Sequence, residues 1–371
     1  MPIPFLNLAA QYRALRPELD RAVRRVFERG QFVLGPEVEA FEREMASTCG
    51  AAHAVGVASG TDALELSLRA LGVGPGDEVL TSVYSFFATA GAIVAAGAIP
   101  VFVDIAPDTY CLDASLLPRH LTRKTRVIIP VHLYGHPCDM DAIMRFARAH
   151  RLKVIEDCAQ AIGARYRGRP VGSFGDAAAL SFYPTKNLGG AGDGGMVVAN
   201  DARVAERIRL LRAHGSRTRY RHEVLGTNSR LDELQAAVLR VKLKQLSRWN
   251  AARRRAARLY TRLLRRAGMS ASDLPAERAG CQHVYHLYCV RVPRRDQVAA
   301  SLARAGIATQ VCYPSTLADQ PALRGVVPGG RRYPVASAAA KEILALPLYP
   351  ELTDTQARSI ANALARAVRH P

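Results

Sequence analysis

Between Ala54 and Leu211 the sequence alternates short apolar stretches with amphipathic segments. The segments between the apolar stretches have helical periodicity, as in Asp62–Ala70 and Met140–His150. This alternation predicts an α/β fold, with a mostly parallel sheet between helices. Ligands of such sheets bind at the carboxyl ends of the strands, so the loops there are the first place to look for a site. The predicted strands are Ala54–Val57, Glu78–Thr81, Pro100–Val103, Val127–Val131, Lys153–Ile155, Ala178–Phe182 and Gly195–Ala199.

The chain has 371 residues, and a chain of this length usually forms more than one hydrophobic core. Two domains of unequal size are therefore expected. A long helical stretch covers Arg230–Arg266, and the alternation in Val284–Val292 predicts a further strand. We expect a large domain over residues 1–245, which includes an N-terminal arm, and a smaller C-terminal α+β domain over residues 246–371. The uncharged segment Phe86–Val103 has the length of a membrane span, but Pro100 helps divide it into an Ala-rich helix and a short strand. It predicts buried core, and we expect no membrane association.

The formal net charge of +19 raises the question of nucleic-acid binding. The arginines are spread along the chain, and the densest run, Arg248–Arg266, has the spacing of a solvated helix face; an anion-attracting surface is the alternative. No nucleic-acid-binding module is recognisable, so no nucleic-acid partner is expected. The seven cysteines form no C-x-x-C pair, and the N-terminus lacks the pattern of a signal peptide. Both observations favour a reducing, cytoplasmic location.

Lys186 is the residue with the most informative context. It follows the predicted strand Ala178–Phe182 and lies between Pro184 and a run of glycines in SFYPTKNLGGAGDGG. A lysine at the end of an apolar strand is well placed to project into a cleft; a surface lysine in a loop is the alternative. The functional interpretation is a Schiff-base amine, which must be neutral to attack a carbonyl and whose pKa falls when it is desolvated.

An aldehyde cofactor such as pyridoxal phosphate would need a carboxylate for its ring nitrogen, an anion site for its phosphate and a flat side chain over the ring. Asp157 follows a predicted strand and can supply the carboxylate, or it can cap a helix. Ser59-Gly60-Thr61 joins a strand to a helix, so its N–H groups can hold phosphate or belong to an ordinary cap. Ser181 can add a hydroxyl, and Phe86 can stack on the ring or belong to the core.

Two other patterns have weaker implications. Gly190–Gly195 satisfies G-x-G-x-x-G, but it precedes a predicted strand, whereas the dinucleotide fingerprint follows a strand and opens a helix. Cys281, His283, His286 and Cys289 are side chains of the metal-ligating type, yet in a strand His283 and His286 would point to opposite faces. We expect neither a dinucleotide site nor a metal.

Six motifs occur along the chain in a fixed order: SGTDAL, Ser85-Phe86-x-Ala88-Thr89, VIEDCAQAIGA, SFYPTKNLGGAGDGG, GTNSRLDELQAA and HVYHLY. In this order and spacing they resemble the DegT/DnrJ/StrS nucleotide-sugar aminotransferases, which are fold-type I pyridoxal phosphate enzymes. The resemblance covers essentially the full chain, from FLNLAAQY to LPLYPELT. It implies that the large domain has a seven-stranded, mostly parallel sheet and binds the cofactor.

The resemblance also implies roles for individual residues. Lys186 matches the Schiff-base lysine, and Asp157 matches the aspartate that pairs with the pyridine nitrogen; these two are the implied catalytic residues. The further implied cofactor-binding residues are Gln160 near the ring hydroxyl, Phe86 on the ring, and Gly60, Thr61 and Ser181 at the phosphate. Asn228 matches an asparagine that reaches the phosphate of the neighbouring subunit, which implies a homodimer with shared active sites.

The implied reaction is a transamination in two halves. L-glutamate, the family's usual amino donor, converts pyridoxal 5'-phosphate to pyridoxamine 5'-phosphate, and a nucleotide-linked keto-sugar then receives the amine, with Lys186 carrying the proton. The branch that the chain resembles most aminates C3 of dTDP-3-keto-6-deoxyhexoses, with His286 and Tyr313 at positions near the sugar nucleotide. Related branches act on 4-keto-sugars, a UDP-linked keto-hexuronate or a keto-inositol. Outside enzymes, the alternative is a pyridoxal phosphate-binding regulatory protein, which should lack the lysine or the aspartate.

Two positions depart from the family pattern. Ala318 stands where Y-P-x-P-L-H has its histidine, and His136 stands where a glutamine usually follows Tyr134-Gly135. Both departures leave the cofactor chemistry untouched and bear on the choice of sugar.

Overall fold

The computed structural model describes residues 2–218, 220–327 and 329–369. Its central sheet has the strand order β1-β7-β6-β5-β4-β2-β3. Strand β7 runs antiparallel to both of its neighbours, and all other neighbouring strands are parallel. The strands are β1 (His53–Val57), β2 (Glu78–Ser82), β3 (Ile99–Val103), β4 (Thr125–Ile129), β5 (Lys153–Asp157), β6 (Ala177–Ser181) and β7 (Gly195–Ala199).

The predicted α/β class is therefore confirmed, and each predicted strand is present with its ends shifted by no more than two residues. Both ends of β4 are shifted by two residues, and β5 continues two residues beyond its predicted end, to Asp157. Buried apolar side chains on both faces explain why these short runs could be recognised: β6 and β7 are buried at every position.

Helices cover both faces of the sheet. They are α1 (Leu8–Arg29), α2 (Pro36–Cys49), α3 (Gly60–Ala70), α4 (Ala88–Ala95), α5 (Met140–Ala149), α6 (Ala202–Arg212) and α7 (Glu233–Leu243). The segment Phe86–Val103 divides into α4 and β3, as its sequence predicts. Within the described ranges, no helix has both the length and the apolar character that a membrane crossing requires.

The C-terminal part contains α8 (Leu246–Arg266), α9 (Arg295–Arg304), α10 (Pro334–Glu342) and α11 (Asp354–Arg369), and an antiparallel pair of strands, β8 (Tyr288–Arg291) and β9 (Ile343–Leu346). Two expectations need correction here. The helical stretch Arg230–Arg266 is two helices, α7 and α8, with a break at Lys244 and Gln245. The predicted strand Val284–Val292 begins only at Tyr288, because Tyr285 has a φ of 47° and interrupts the extended backbone.

A second hydrophobic core joins α8, α9, α11, β8 and β9. We propose that the boundary between the large domain and the small domain lies at residues 245 and 246, where the break between α7 and α8 supports it. The N-terminal arm contacts the small domain: the N–H of Ile3 donates to the Gly306 carbonyl at 2.8 Å, and the N–H of Ala308 donates to the Ile3 carbonyl at 3.1 Å. The arm thus links α1 of the large domain to the small domain.

Candidate active site

A cavity of about 530 Å³ opens at the carboxyl edge of the sheet. Its walls come from the loops after β1, β2, β4, β5 and β6, from the two residues before β7, and from the small-domain segments around residues 286 and 312. Because segments far apart in the sequence converge here, this cavity is the candidate active site. The predicted site residues that line it are Gly60, Thr61, Phe86, Asp157, Gln160, Ser181, Lys186, His286 and Tyr313.

The structure places Lys186 in the wall of this cavity, partly buried, in the loop that follows β6. The loop folds back on itself: the N–H of Lys186 donates to the Tyr183 carbonyl at 2.8 Å, and the N–H of Gly190 donates to the Phe182 carbonyl at 2.7 Å. Burial lowers the pKa of the Lys186 amine to about 8, and the nearby Asp157 carboxylate acts in the opposite direction. At neutral pH this amine is unprotonated more often than that of an ordinary lysine.

Asp157, the last residue of β5, faces the same cavity. Thr89 Oγ1 donates to Asp157 Oδ2 at 2.9 Å, and the N–H of Ala159 donates to Oδ1 at 3.2 Å. Burial raises the pKa of the Asp157 carboxyl, although both hydrogen bonds favour the charged form. No helix follows in the described residues 158–164, so Asp157 is not a helix cap. A cationic partner inside the cavity would stabilise the charged form of this carboxylate.

The turn after β1 presents backbone N–H groups to the cavity. Ser59 caps α3, since its hydroxyl accepts from the N–H of Asp62 at 3.1 Å. Gly60 and Thr61 then begin the helix, where the N–H groups have no partner within the helix. A Cβ on Gly60 would lie 2.7 Å from the Cβ of Ser181, so only glycine fits here. Capping and anion binding are thus compatible at this turn.

Close packing of the backbone explains the glycine-rich run after Lys186. A Cβ on Gly195 would overlap the Ser59 carbonyl, and one on Gly189 would overlap the Pro184 carbonyl. The run therefore lets β7 begin directly beside the Ser59 turn. It precedes a strand, as the sequence predicts, so the geometry of a dinucleotide fingerprint is not present at this position.

Gln160 and Tyr313 form another side of the cavity. Gln160 Oε1 accepts from the N–H of Tyr134 at 2.7 Å, and its Nε2 donates to the Tyr313 hydroxyl oxygen at 3.0 Å. The Tyr313 hydroxyl keeps its own proton for a group inside the cavity. Phe86 is 58% exposed in the single chain, and its ring centroid lies 6.2 Å from that of Tyr313. Phe86 is therefore not a core residue, and its ring is available to a ligand.

His286 lies beside the lysine loop. Asn187 donates its side-chain amide to Asn250 Oδ1 at 2.8 Å and to the Val284 carbonyl at 3.2 Å, so its oxygen accepts from His286 Nδ1 at 3.3 Å. Burial and the neighbouring Lys186 amine hold the pKa of His286 well below its usual range. The ring is neutral, and its Nε2 remains an acceptor.

Neither His283 nor His286 lies in a strand, so the prediction that strand alternation separates them was wrong. Other contacts separate them. His283 Nδ1 accepts from the N–H of Tyr285 at 2.9 Å and its ring stacks on that of Tyr285, whereas His286 is bound to Asn187. The two imidazoles are thus engaged with different partners.

A different group of metal-type side chains, His132, Glu156 and Cys158, is buried on the far side of β5. Glu156 Oε2 accepts from His132 Nε2 at 3.1 Å and from the N–H of Gly172 at 2.9 Å, and Oε1 accepts from the N–H groups of Phe174 and Gly175 at 2.7 and 2.9 Å. These bonds already engage both carboxylate oxygens, so the group forms a closed structural network.

Asn228 does not line the cavity of its own chain, and its side chain is exposed. The next residue, Ser229, accepts from the N–H of Ala58 at 3.1 Å and donates to Asp62 at 2.6 Å. Asn228 therefore lies on the outside of the first turn of α3. The role implied for it in a neighbouring subunit stays a prediction.

Neither departure from the family pattern reaches the cavity. His136 is buried, where its Nε2 accepts from the N–H of Arg278 at 3.2 Å and its Nδ1 donates to the Pro137 carbonyl at 2.7 Å. Ala318 is exposed and lines a separate groove. Neither residue lines the cavity in which the predicted site residues of this chain lie.

The cavity fits pyridoxal 5'-phosphate in three respects. The Gly60 turn provides N–H groups in a space that a Cβ would fill, Asp157 is a buried carboxylate without a cationic hydrogen-bond partner, and Lys186 is an amine that makes no hydrogen bond to another described residue. Phosphate, ring nitrogen and aldehyde require these three partners.

Sequence reasoning missed several residues that shape the site. Thr89 belongs to one of the six motifs, but its hydrogen bond to Asp157 depends on the position of α4. Asn187 directly follows Lys186, yet its contact with His286 spans 99 positions of sequence. Phe5 and Leu6 line the cavity from the N-terminal arm, and no local signal marks them.

Known proteins match this chain over nearly its full length. The chain is 48% identical over 362 residues to the dTDP-3-amino-3,4,6-trideoxy-alpha-D-glucose transaminase of Streptomyces venezuelae, across 98% of this chain and 95% of that protein. It is also 48% identical over 370 residues to a pleiotropic regulatory protein of Geobacillus stearothermophilus, across 100% of both chains.

The solved structures give the same result. The crystal structure of S. venezuelae DesV in complex with a ketimine intermediate is 46% identical to this chain, with a TM-score of 0.96 over 100% of this chain and 99% of that one. The family description DegT/DnrJ/EryC1/StrS aminotransferase matches residues 14–365. With near-complete coverage in sequence and in structure, this chain belongs to the DegT/DnrJ/EryC1/StrS aminotransferase family.

Proposed function

We propose that this pyridoxal phosphate-dependent aminotransferase transfers an amino group from L-glutamate to a nucleotide-linked keto-sugar, with C3 of a dTDP-3-keto-6-deoxyhexose as the preferred acceptor. The observation that carries this proposal is that the Lys186 amine and the buried Asp157 carboxylate line the same cavity. The similarity to a dTDP-3-amino-sugar transaminase supports the choice of acceptor. A non-catalytic regulator would not need either residue.

The chain's own residues can hold each part of the cofactor. The N–H groups of Gly60 and Thr61 and the hydroxyl of Ser181 would bind the phosphate, Asp157 the ring nitrogen, and Phe86 a face of the ring. When bound, pyridoxal 5'-phosphate supplies a reactive aldehyde and an electron-withdrawing ring. Thr89 and Ala159 fix the orientation of the Asp157 carboxylate, so that a charged acceptor faces the ring nitrogen.

Lys186 would move the proton during each half of the transfer. Its Nζ has a pKa of about 8, so both its neutral form and its protonated form are populated near neutral pH. A group with this property can accept a proton at Nζ in one step and return it in the next. Asp157 limits how far burial lowers this pKa, because its negative charge favours the ammonium form.

His286 and Tyr313 are proposed to contact the sugar. The neutral His286 ring offers an acceptor at Nε2, and the Tyr313 hydroxyl offers a donor, since its oxygen already accepts from Gln160. An acceptor and a donor on the small-domain side of the cavity can bind neighbouring hydroxyl or keto groups of a hexose.

We further propose a homodimer with shared active sites. Lys186 is the only positively charged side chain among the described residues that line the cavity, which also include Asp157 and Asp193. A phosphate, a nucleotide diphosphate and a glutamate are all anions, so further cations must come from outside this chain's own cavity. Exposed arginines such as Arg217 and Arg221 lie on the hairpin that precedes Asn228. A second copy that brings this hairpin to the cavity would supply the missing charge.

Mixed dimers test the sharing. One subunit carries Lys186→Ala and the other carries Asn228→Ala. If each site uses Lys186 of one subunit and Asn228 of its partner, the mixed dimer has one intact site and should regain activity over either parental homodimer. If each site lies within one subunit, both sites of the mixed dimer are damaged and no activity is regained.

A panel of keto-sugars tests the substrate. The protein is incubated with pyridoxal 5'-phosphate, L-glutamate and each of a dTDP-3-keto-6-deoxyhexose, a nucleotide-linked 4-keto-sugar, a UDP-linked keto-hexuronate and a keto-inositol, and the aminated product is identified by mass. Amination of the dTDP-3-keto-6-deoxyhexose alone is the expected result. If this substrate failed and another one were aminated, the preferred acceptor would be wrong. If the visible absorbance of the protein did not change on addition of the cofactor, the aminotransferase activity itself would be rejected.

A cytoplasmic location is also proposed. All seven cysteines are free thiols, and five of them are buried. Thiols of this kind suit a reducing compartment.

A further inference from the structure

The loop that carries Lys186 is rich in glycine, and glycine-rich segments lose much conformational freedom on folding. Gly189, Gly190 and Gly192 follow Lys186 within six residues. Such a loop needs contacts outside itself if its lysine is to keep one direction. Asn187 is held by Asn250 of α8 and by the Val284 carbonyl, and the glycines that follow it are held by helix α7.

Two side chains of α7 bind this glycine segment, which we define as residues 189–192. Lys242 Nζ donates to the Gly189 carbonyl at 2.7 Å. Gln235 Oε1 accepts from the N–H of Ala191 at 2.8 Å. A Cβ on Gly190 would lie 2.7 Å from Gln235 Oε1, so the helix and the segment are in close contact. Two anchors thus flank the segment from the same helix.

The environment of Lys242 is unusual for a lysine. The residue is only 8% exposed, and no carboxylate in the described ranges pairs with its amine. Burying an amine without a counter-ion is costly. An apolar side chain would pack better at this buried position. The contribution of the amine is therefore its hydrogen bond to Gly189.

Helix α7 is itself held firmly. Its first residue, Glu233, accepts hydrogen bonds from the N–H groups of Gly35, Glu37 and Val38 at 2.8 to 3.0 Å, at the start of α2. Arg240 forms ion pairs with Glu37 and with a second carboxylate of α2. The anchors Gln235 and Lys242 therefore project from a fixed support.

We infer that Lys242 and Gln235 are positioning residues: by binding the glycine segment they fix the direction in which Lys186 enters the cavity. They touch neither the cavity nor Lys186, so they act through the loop alone. This inference rests on the proposed function of Lys186. Errors of about 1 Å in the position of a reacting group can cost about 100-fold in rate, which is the scale on which such anchors matter.

The test compares Lys242→Met with Lys244→Met in the full-length protein loaded with pyridoxal 5'-phosphate. Methionine keeps the length of the buried side chain and removes the donor. Lys244 lies just beyond the end of the same helix and is exposed, which makes Lys244→Met the matched control. For Lys242→Met we expect kcat to fall by roughly 10- to 100-fold with KM little changed. Lys244→Met should match the wild type.

Amide hydrogen exchange, followed by mass spectrometry, gives a readout that does not depend on turnover. In Lys242→Met the peptide that contains residues 187–192 should exchange at least about tenfold faster, a loss of about 1.4 kcal/mol in local protection, while peptides from β1 and β5 keep their rates. Faster exchange throughout the protein would show general destabilisation and would overturn the inference, as would unchanged exchange in the segment.

A second pair of variants covers the case in which Lys242→Met does not fold. Gln235→Glu keeps an oxygen for the N–H of Ala191, whereas Gln235→Met removes it. Selective loss of protection and of kcat in Gln235→Met, with both retained in Gln235→Glu, is the expected result; equal behaviour of the two would overturn the inference. If no keto-sugar is aminated, the proposed function fails, but the exchange result still decides whether the anchors hold the loop.

Discussion

The two faces of β5 at its carboxyl end carry neighbouring carboxylates with opposite characters. Glu156 points away from the cavity and accepts four hydrogen bonds, from His132 and from three backbone N–H groups. Asp157 points into the cavity and accepts only two, from Thr89 and Ala159. Consecutive residues of a strand face opposite sides, so one position in sequence separates a structural acid from a functional one.

The difference shows how to tell such acids apart. A buried charge whose hydrogen-bonding capacity is filled contributes to the fold, because nothing further can bind to it. A buried charge with spare capacity can still bind a ligand. Burial raises the pKa of the Asp157 carboxyl, so a cationic ligand would stabilise its charged form. The following changes test this division between the two faces, beginning with the largest expected effect.

Replacing Lys186, the amine on the cavity side, should have the largest effect. Lys186→Ala removes the amine that would move the proton, so turnover should fall by at least about 10³-fold while the fold persists. Steady-state kinetics and thermal unfolding would measure the two quantities. Transamination at a normal rate would mean that another group carries the proton.

The roles of the two carboxylates should differ most clearly when each side chain loses its charge. Asp157→Asn should slow turnover by about 100-fold or more, roughly 3 kcal/mol in barrier, because the ring nitrogen loses its anionic partner. Glu156→Gln should leave kcat close to wild type but lower the free energy of unfolding by about 1–3 kcal/mol, since an amide NH₂ must face N–H donors. Kinetics and denaturant unfolding of both variants provide the comparison, and equal losses of kcat would erase the distinction between the faces.

The phosphate turn should respond less strongly. In Gly60→Ala the new Cβ meets the Cβ of Ser181 at 2.7 Å, so the turn must open, and the dissociation constant for pyridoxal 5'-phosphate should rise by about tenfold, or 1.4 kcal/mol. The matched control is Gly74→Ala, where a Cβ would have no neighbour within 4 Å. Spectroscopic titration of both variants checks the effect; the same affinity in both would show that phosphate does not bind at this turn.

The smallest expected effect is a shift in pH dependence. In cofactor-free protein, capture of pyridoxal 5'-phosphate requires neutral Lys186, so its rate should rise with pH and level off above about 8. Asp157→Asn should move the midpoint to lower pH, because this carboxylate raises the pKa of Lys186, and Glu156→Gln should not move it. Stopped-flow measurements across the pH range give the midpoint. A wild-type midpoint near the ordinary value of 10.5 would contradict the lowered pKa.

Much of the fold was predictable because its strands are short, apolar and regularly spaced. The same patterns failed where backbone conformation departs from a repeat. The alternation over Val284–Val292 predicted a strand that Tyr285, with its positive φ, interrupts. The helical period across Arg230–Arg266 concealed the break at Lys244, since both helices continue to bury one apolar face.

Within the site, residues in local motifs were easier to recognise than their partners. Lys186 and Asp157 each come after a predicted strand, so their positions in the sequence already put both at the carboxyl edge of the sheet. Thr89, which orients Asp157, depends on how α4 packs, and Phe5 and Leu6 of the arm depend on contacts with the small domain. The roles given to the predicted site residues stay predictions until the variants above are measured.

The sequence by itself determined the class of fold, the edge at which a ligand can bind and the presence of an amine and a carboxylate there, because each of these follows from patterns within a few residues. Only the tertiary structure decided which of two adjacent acids has spare hydrogen-bonding capacity, how far burial lowers the pKa of Lys186, and which side chains of α7 and α8 hold its loop. Desolvation and hydrogen-bond capacity are set by every chain segment that surrounds a group, and these segments come together only in the folded chain.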